Sequence, residues 1–207
     1  ENDEALVLHT SGTTSRPKIV PLTNKNIYSS SLNISKSLSL SEKDHCLNIM
    51  PLFHIHGLIA IIASSMKSGA SVCASSGFNA LKFLELAKSE KITWYSGVPT
   101  MHQTIMLRAE KNLELAKNLN LRLVRSSSAS LPPAVFEKLN KVFNCPVIEA
   151  YGMTEATHQM TSNPLPPKKQ KAGFVGIPAG PEVAIMNDNN QIMKNGEIGE
   201  ICIKGNN

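Results

Sequence analysis

The sequence predicts an α/β fold, a sheet covered by helices, and three observations carry that expectation. Short apolar runs alternate with longer segments of helical periodicity as far as Tyr151. Proline and glycine fall between these segments, at Pro51, Gly69 and Pro99. After about Ser162 the texture changes to a proline-rich connection followed by short strands.

Taken in order, Ala5-Leu6-Val7-Leu8 reads as a buried strand, and it runs into the polar loop Thr10–Lys18. Thr23 is placed to cap a polar helix over Asn24–Ser37, because its hydroxyl can accept from a free first-turn N–H. His45–Met50 reads as a short strand, Gly57–Lys67 as an apolar helix and Ala70–Ala74 as another strand. Leu81, Leu84, Leu86 and Ala87 give a helical face before the strand Ile92–Ser96. Pro99 opens a helix to about Leu115, Leu121–Val124 is a strand, and Pro132 stands at the first turn of the next helix. Val147–Glu149 closes the alternation as a strand. Beyond Asn163-Pro164-Leu165-Pro166-Pro167, strands are expected at Val183–Met186 and Glu200–Ile203, with a turn at Asn187–Asn190. The division expected is an α/β core over 1–165 and the start of a β-rich subdomain over 166–207.

Composition narrows the function classes. With 42% apolar and 18% charged residues the 207-residue chain is of ordinary globular make-up, and its longest apolar runs are too short to span a bilayer. Net charge is +5, but the lysines are dispersed apart from Lys168-Lys169-Gln170-Lys171, and no aromatic is interleaved with that cluster, which argues against a nucleic-acid platform. The four cysteines, Cys46, Cys73, Cys145 and Cys202, form no Cys-x-x-Cys pair and read as reduced, buried thiols of an intracellular protein. Strand signals begin almost at once and stop mid-sheet, so a fragment of a longer chain is expected.

The loop Thr10-Ser11-Gly12-Thr13-Thr14-Ser15-Arg16-Pro17-Lys18 has the parts of a phosphate cradle: hydroxyl donors, a glycine for close backbone approach, and two cations. It is not a Walker loop. Pro17 stands where that motif has its second glycine and removes a backbone donor, and Ile19 after Lys18 cannot hold magnesium. By composition alone a Ser/Thr-rich turn fits equally well.

Two further motifs follow in order, Met50-Pro51-Leu52-Phe53-His54-Ile55-His56-Gly57 and Glu149-Ala150-Tyr151-Gly152-Met153-Thr154-Glu155. Together with the loop they resemble the adenylate-forming enzymes, that is acyl-CoA synthetases, luciferases and peptide-synthetase adenylation domains. Ser15 departs from the glycine usual there. The resemblance covers essentially the whole chain and implies the central part of the large N-terminal domain of such an enzyme, with layered sheets covered by helices. It also implies ATP, Mg2+ and coenzyme A as co-substrates and cofactor, and a carboxylic acid as substrate.

By position, the resemblance assigns Thr10, Ser11, Gly12, Thr13, Thr14, Ser15 and Lys18 to the β- and γ-phosphates. Glu149, Ala150 and Tyr151 correspond to the adenine-binding strand end, followed by Gly152 and Met153, and Ser128, Ala129 and Ser130 to the opposite wall. Thr154 is expected at the α-phosphate and Glu155 at the magnesium ion, with His54 beside the acyl pocket. Lys18, Thr154, Glu155 and His54 are the expected catalytic groups. The ribose-binding aspartate, the hinge and the lysine of the mobile lid domain would all lie beyond Asn207.

His54 and His56, two apart, would share one face if that segment were a strand, but no further ligands have zinc-site spacing. His158 is the informative residue. A fatty-tail pocket would leave its imidazole without partners, at a cost of about 1–3 kcal/mol, whereas a second carboxylate would satisfy it. Leu123–Leu131, His56 and the stretch from Thr154 to Pro166 are similar to the oxalyl-CoA synthetases of plants and fungi. Oxalate, held by His54, His56, Ser128 and His158, is the substrate that likeness implies; another short acid, with His158 bonded to backbone, is the alternative. A domain that loads a carrier protein, and a nucleotide-binding module without catalysis, stay open as rivals. No nucleic acid or membrane partner is expected, and the compartment is cytosolic or peroxisomal.

Overall fold

The computed structural model describes residues 1–10 and 17–207. The chain opens with a hairpin, β1 (Glu4–Thr10) pairing antiparallel with β2 (Lys18–Thr23). This corrects the expectation for Ala5–Leu8. The strand lies outside the main sheet in a two-stranded ribbon, and Val7 is half exposed while only Leu6 and Leu8 pack on the core. Its alternation of apolar side chains signals one covered face, not two.

Helix α1 (Asn24–Ser37) begins where the sequence places it. Thr23 Oγ1 accepts from the Asn26 N–H while the Asn26 side chain accepts from the Thr23 N–H, so two otherwise free donors are satisfied reciprocally. Strand β3 (His45–Asn48) follows, and then a turn leads into a π-helical segment, His56–Ala63, that continues as α2 (Ser64–Lys67). The remaining alternation is β4 (Ser71–Ala74), α3 (Phe83–Ser89), β5 (Trp94–Gly97), α4 (Pro99–Ala109), α5 (Leu113–Lys117), β6 (Leu123–Ser126), α6 (Pro133–Phe143) and β7 (Val147–Met153). The single helix expected from Pro99 to Leu115 is thus broken by a 3-10 turn at Glu110–Asn112.

Strands β4-β3-β5-β6-β7 run parallel in that spatial order. Two antiparallel strands, β8 (His158–Ser162) and β9 (Ile177–Pro178), complete the seven-stranded sheet. After β7 the chain makes a 3-10 turn at Thr154–Ala156 and returns beside it as β8, a strand that the sequence analysis does not anticipate. Strands β10 (Glu182–Met186) and β11 (Glu200–Lys204) form a separate hairpin.

Both faces of the parallel sheet are covered, as buried parallel strands require. Leu47, Tyr95, Val124 and Val147 point to a core shared with α3, α4 and α6. Their neighbours Cys46, Trp94, Leu123 and Ile148 point to a second core under α1 and the π-helical segment. Trp94 and Tyr95 are both fully buried in these cores. All four cysteines are free; Cys46 and Cys145 are buried, whereas Cys73 and Cys202 are only half-buried.

Candidate active site

The carboxyl ends of parallel strands are where open α/β sheets place ligands, because the strand-to-helix turns there leave side chains and backbone groups unpaired. A cavity of about 210 Å3 opens at that end. Ser128 after β6, Gly152 and Met153 at the end of β7, and Thr154, Glu155 and His158 beyond it line this cavity together with Thr10, His54 and Ile55. Three larger clefts, of about 770 and 540 Å3 flanking α1 and of about 260 Å3 beside β4 and α3, gather no histidine.

Local backbone explains this convergence. A Cβ on Gly152 would overlap the carbonyl of His158, so only glycine lets β7 and β8 approach as they do. Thr157 and His158 have φ of 48° and 91°, a left-handed bend that turns the chain back under the cavity. Ser128, with φ of 72°, makes a similar bend after β6. A Cβ on Gly57 would likewise overlap the Pro51 carbonyl, which holds the His54–His56 turn against the strand end.

His54 and His56 do not share a face, since the segment is a turn entering a helix. His54 is exposed at the cavity; its Nδ1 accepts from the His56 N–H at 3.0 Å, and partial loss of hydration lowers its pKa. His56 is fully buried and lies behind the cavity wall, where its Nδ1 is 3.0 Å from Ser128 Oγ and its Nε2 is 2.6 Å from Ser96 Oγ. His158 is buried at the cavity floor with its ring 5.0 Å from that of His56. Burial, with the nearby cation and imidazoles second, holds both rings well below the ordinary histidine pKa, so they are neutral.

Sequence reasoning missed the group between them. Arg125, on β6, is wholly buried, and its guanidinium reaches Ser96 Oγ (3.3 Å), Gln159 Oε1 (3.1 Å), His56 Nε2 (3.5 Å) and His158 Nδ1 (3.5 Å). Burial lowers its pKa to about 9, which leaves it charged at neutral pH. The signal was present in the period of the strand: Leu121, Leu123 and Arg125 alternate to one side, so a cation stands where a core residue is due.

The other expected residues distribute unevenly. Thr10, Ser128, Gly152, Met153, Thr154 and Glu155 meet at the cavity, whereas Lys18, Ala129, Ser130, Glu149, Ala150 and Tyr151 are not part of its lining. Lys18 is exposed opposite Thr10 in the hairpin register. Glu149 is buried and accepts from the Gly173 N–H at 3.0 Å. Ser11, Gly12, Thr13, Thr14 and Ser15 lie outside the described residues. Thr10 Oγ1, at the edge of that loop, has no partner among the described residues. No cluster of three metal-ligating side chains occurs among the described residues. Glu155 is exposed at the cavity and forms no ion pair among them. A single carboxylate suits Mg2+, which keeps most of its waters and shares phosphate oxygens.

A strand-end cavity with a serine, a threonine and a glutamate at its rim and neutral histidines beneath fits a nucleotide-dependent enzyme. The chain belongs to the AMP-binding enzyme family, whose model matches residues 1–207. It is 47% identical over 206 residues to an oxalate–CoA ligase of Saccharomyces cerevisiae, covering 100% of this chain and 37% of that protein. It is 48% identical over 209 residues to an oxalate–CoA ligase of Arabidopsis thaliana, covering 100% of this chain and 40% of that one. Among solved structures, ATP-bound MatB from Rhodopseudomonas palustris superposes with a TM-score of 0.90 at 29% identity, over 99% of this chain and 40% of that chain. The chain therefore spans about 40% of the length of the curated relatives it matches.

Proposed function

We propose that this chain is the ATP-handling core of an acid–CoA ligase whose acid is oxalate. The observation that carries the reading is the floor of the cavity, where His158 and, behind Ser128, His56 are buried and neutral. An acyl tail there would strand the ring of His158, which lines the cavity, whereas a second carboxylate gives its N–H an acceptor. The names of the two relatives at 47% and 48% identity support the same acid.

In this reading one carboxylate oxygen of oxalate attacks the α-phosphorus of ATP, the α–β phosphoanhydride bond breaks, and pyrophosphate leaves. The CoA thiolate then attacks the acyl carbonyl and AMP departs. Such chemistry needs positioning and charge stabilisation more than a covalent nucleophile. Thr154 would contact the α-phosphate, Thr10–Ser15 and Lys18 the outer phosphates, and Tyr151 with Glu149–Ala150 and Ser128–Ser130 the adenosine. Glu155 would hold Mg2+, whose contribution is to neutralise charge building on the phosphate oxygens. His54 would border the reacting carboxylate. Residues 1–165 would form the core and 166–207 the start of a β-rich subdomain, with the lid domain contributed by the rest of the protein. No helix among the described residues is long and apolar enough to cross a membrane. A cytosolic or a peroxisomal site of action is consistent with the proposal.

The test is pyrophosphate release by the full-length protein with a panel of short mono- and dicarboxylic acids. Oxalate should give the highest kcat/KM; preference for a monocarboxylate would overturn the assignment of substrate while leaving the family unchanged.

A further inference from the structure

We infer that Arg125 is a positioning residue that fixes the protons of both buried imidazoles, so that two neutral donors face the cavity. The inference deepens the oxalate reading and rests on it for its substrate.

The direction of each hydrogen bond follows from chemistry. A guanidinium only donates. Its Nη1 therefore donates to Ser96 Oγ, whose own hydroxyl proton is then free to go to His56 Nε2, the partner at 2.6 Å. With Nε2 accepting, a neutral His56 carries its proton on Nδ1 and donates to Ser128 Oγ. Ser128, which lines the cavity, is left to donate into it. On the other side Nη2 faces His158 Nδ1, which must accept, and the proton of His158 resides on Nε2, at the opposite edge of a ring that lines the cavity. Register makes this possible: Ser96 and Arg125 are paired neighbours on β5 and β6, on the face that meets His56.

The charge itself has no acidic partner. The ion pairs among the described residues are Arg122–Asp44 and Lys138–Glu110, and neither includes Arg125. A lone buried cation is costly, and an apolar side chain in its place often leaves a protein no less stable. The groups facing the two rings are His54, His102 and Arg125, with Glu155 also lining the cavity and the Cys46 thiol near the guanidinium. Of these only Arg125 is a cation at neutral pH. It thus supplies fixed positive charge beneath the distal carboxylate, and the imidazoles transmit hydrogen bonds without titrating.

Full-length protein carrying 15N-histidine tests this directly. Between pH 5.5 and 8, long-range proton–nitrogen spectra should show His56 protonated on Nδ1 and His158 on Nε2, both neutral. Arg125→Met should let at least one ring exchange tautomers or take up a proton with a midpoint at least one pH unit higher, and Arg125→Lys should partly restore the neutral state. In pyrophosphate exchange Arg125→Met should lose about a hundredfold in kcat/KM for oxalate at pH 8. The ratio of variant to wild type should recover about tenfold by pH 6, as a histidine proton replaces the missing charge, while propionate changes less than threefold. If Arg125→Met does not fold, Ser96→Ala carries the test: His56 should lose its fixed tautomer and His158 keep it. Unaltered tautomers, a flat pH ratio, or equal losses on both acids would overturn the inference. Wild-type protein that ignores oxalate yet shows the expected tautomers would instead overturn the substrate reading.

Discussion

At the scale of single residues, the proposed function divides the cavity between phosphate handling and acid recognition. Glu155, exposed at the cavity, is the carboxylate that the proposal assigns to Mg2+. Glu155→Gln keeps the shape and removes the charge, so adenylation should slow about a hundredfold or more, equally for every acid. Pyrophosphate exchange measured with oxalate and propionate checks both parts of that statement. His158 lies at the floor, and a charge-assisted bond from it to a carboxylate contributes about 1.5–3 kcal/mol. Of these residues, the sequence motifs singled out Glu155 and His158 but not Arg125 or Ser96. Those two belong to strands of otherwise ordinary apolar composition, and only the sheet register sets them side by side. The separate fates of His54 and His56 were equally hidden, because they depend on a turn that the residue spacing does not determine.

At the scale of elements, caps and close approaches hold the site. Thr23→Ala removes half of the capping box of α1 and should cost about 1 kcal/mol of stability without altering turnover, since Thr23 is not in the cavity lining. Denaturant unfolding beside a kcat measurement distinguishes the two effects. Gly152→Ala acts differently: the new methyl meets the His158 backbone, so β7 and β8 must part, and the melting temperature and adenylation should fall together. Most of the alternating strands and helices up to β7 were legible in the sequence, because apolar runs and helical periods succeed one another and proline or glycine stands at several of the borders, as at Pro51, Gly69 and Pro99. Strands β2 and β8 were not. Lys18–Thr23 follows a polar loop directly and its apolar residues are interrupted by Pro21, and His158–Ser162 is almost wholly polar although every one of its residues is buried.

At the scale of the whole molecule, three buried histidines couple stability to pH. Burial holds His56, His102 and His158 below the ordinary value, and brings His102 to about 4. The folded protein keeps them neutral. As pH falls below about 6.5 the unfolded chain binds protons that the folded chain refuses, so stability is full above that pH and is lost toward the folded-state values. At pH 5, His102 alone should account for about 2 kcal/mol of that loss. Unfolding curves of wild type and His102→Asn between pH 8 and 5 should converge as pH falls; parallel curves would show that His102 titrates freely in the fold. The central claim, that a polar cavity floor selects a small dicarboxylate, is tested most directly by kcat/KM for oxalate and for propionate in full-length wild type and His158→Leu. The account predicts a loss of about ten- to a hundredfold on oxalate with propionate spared or improved. Equal losses on the two acids, or an undiminished oxalate rate, would contradict it.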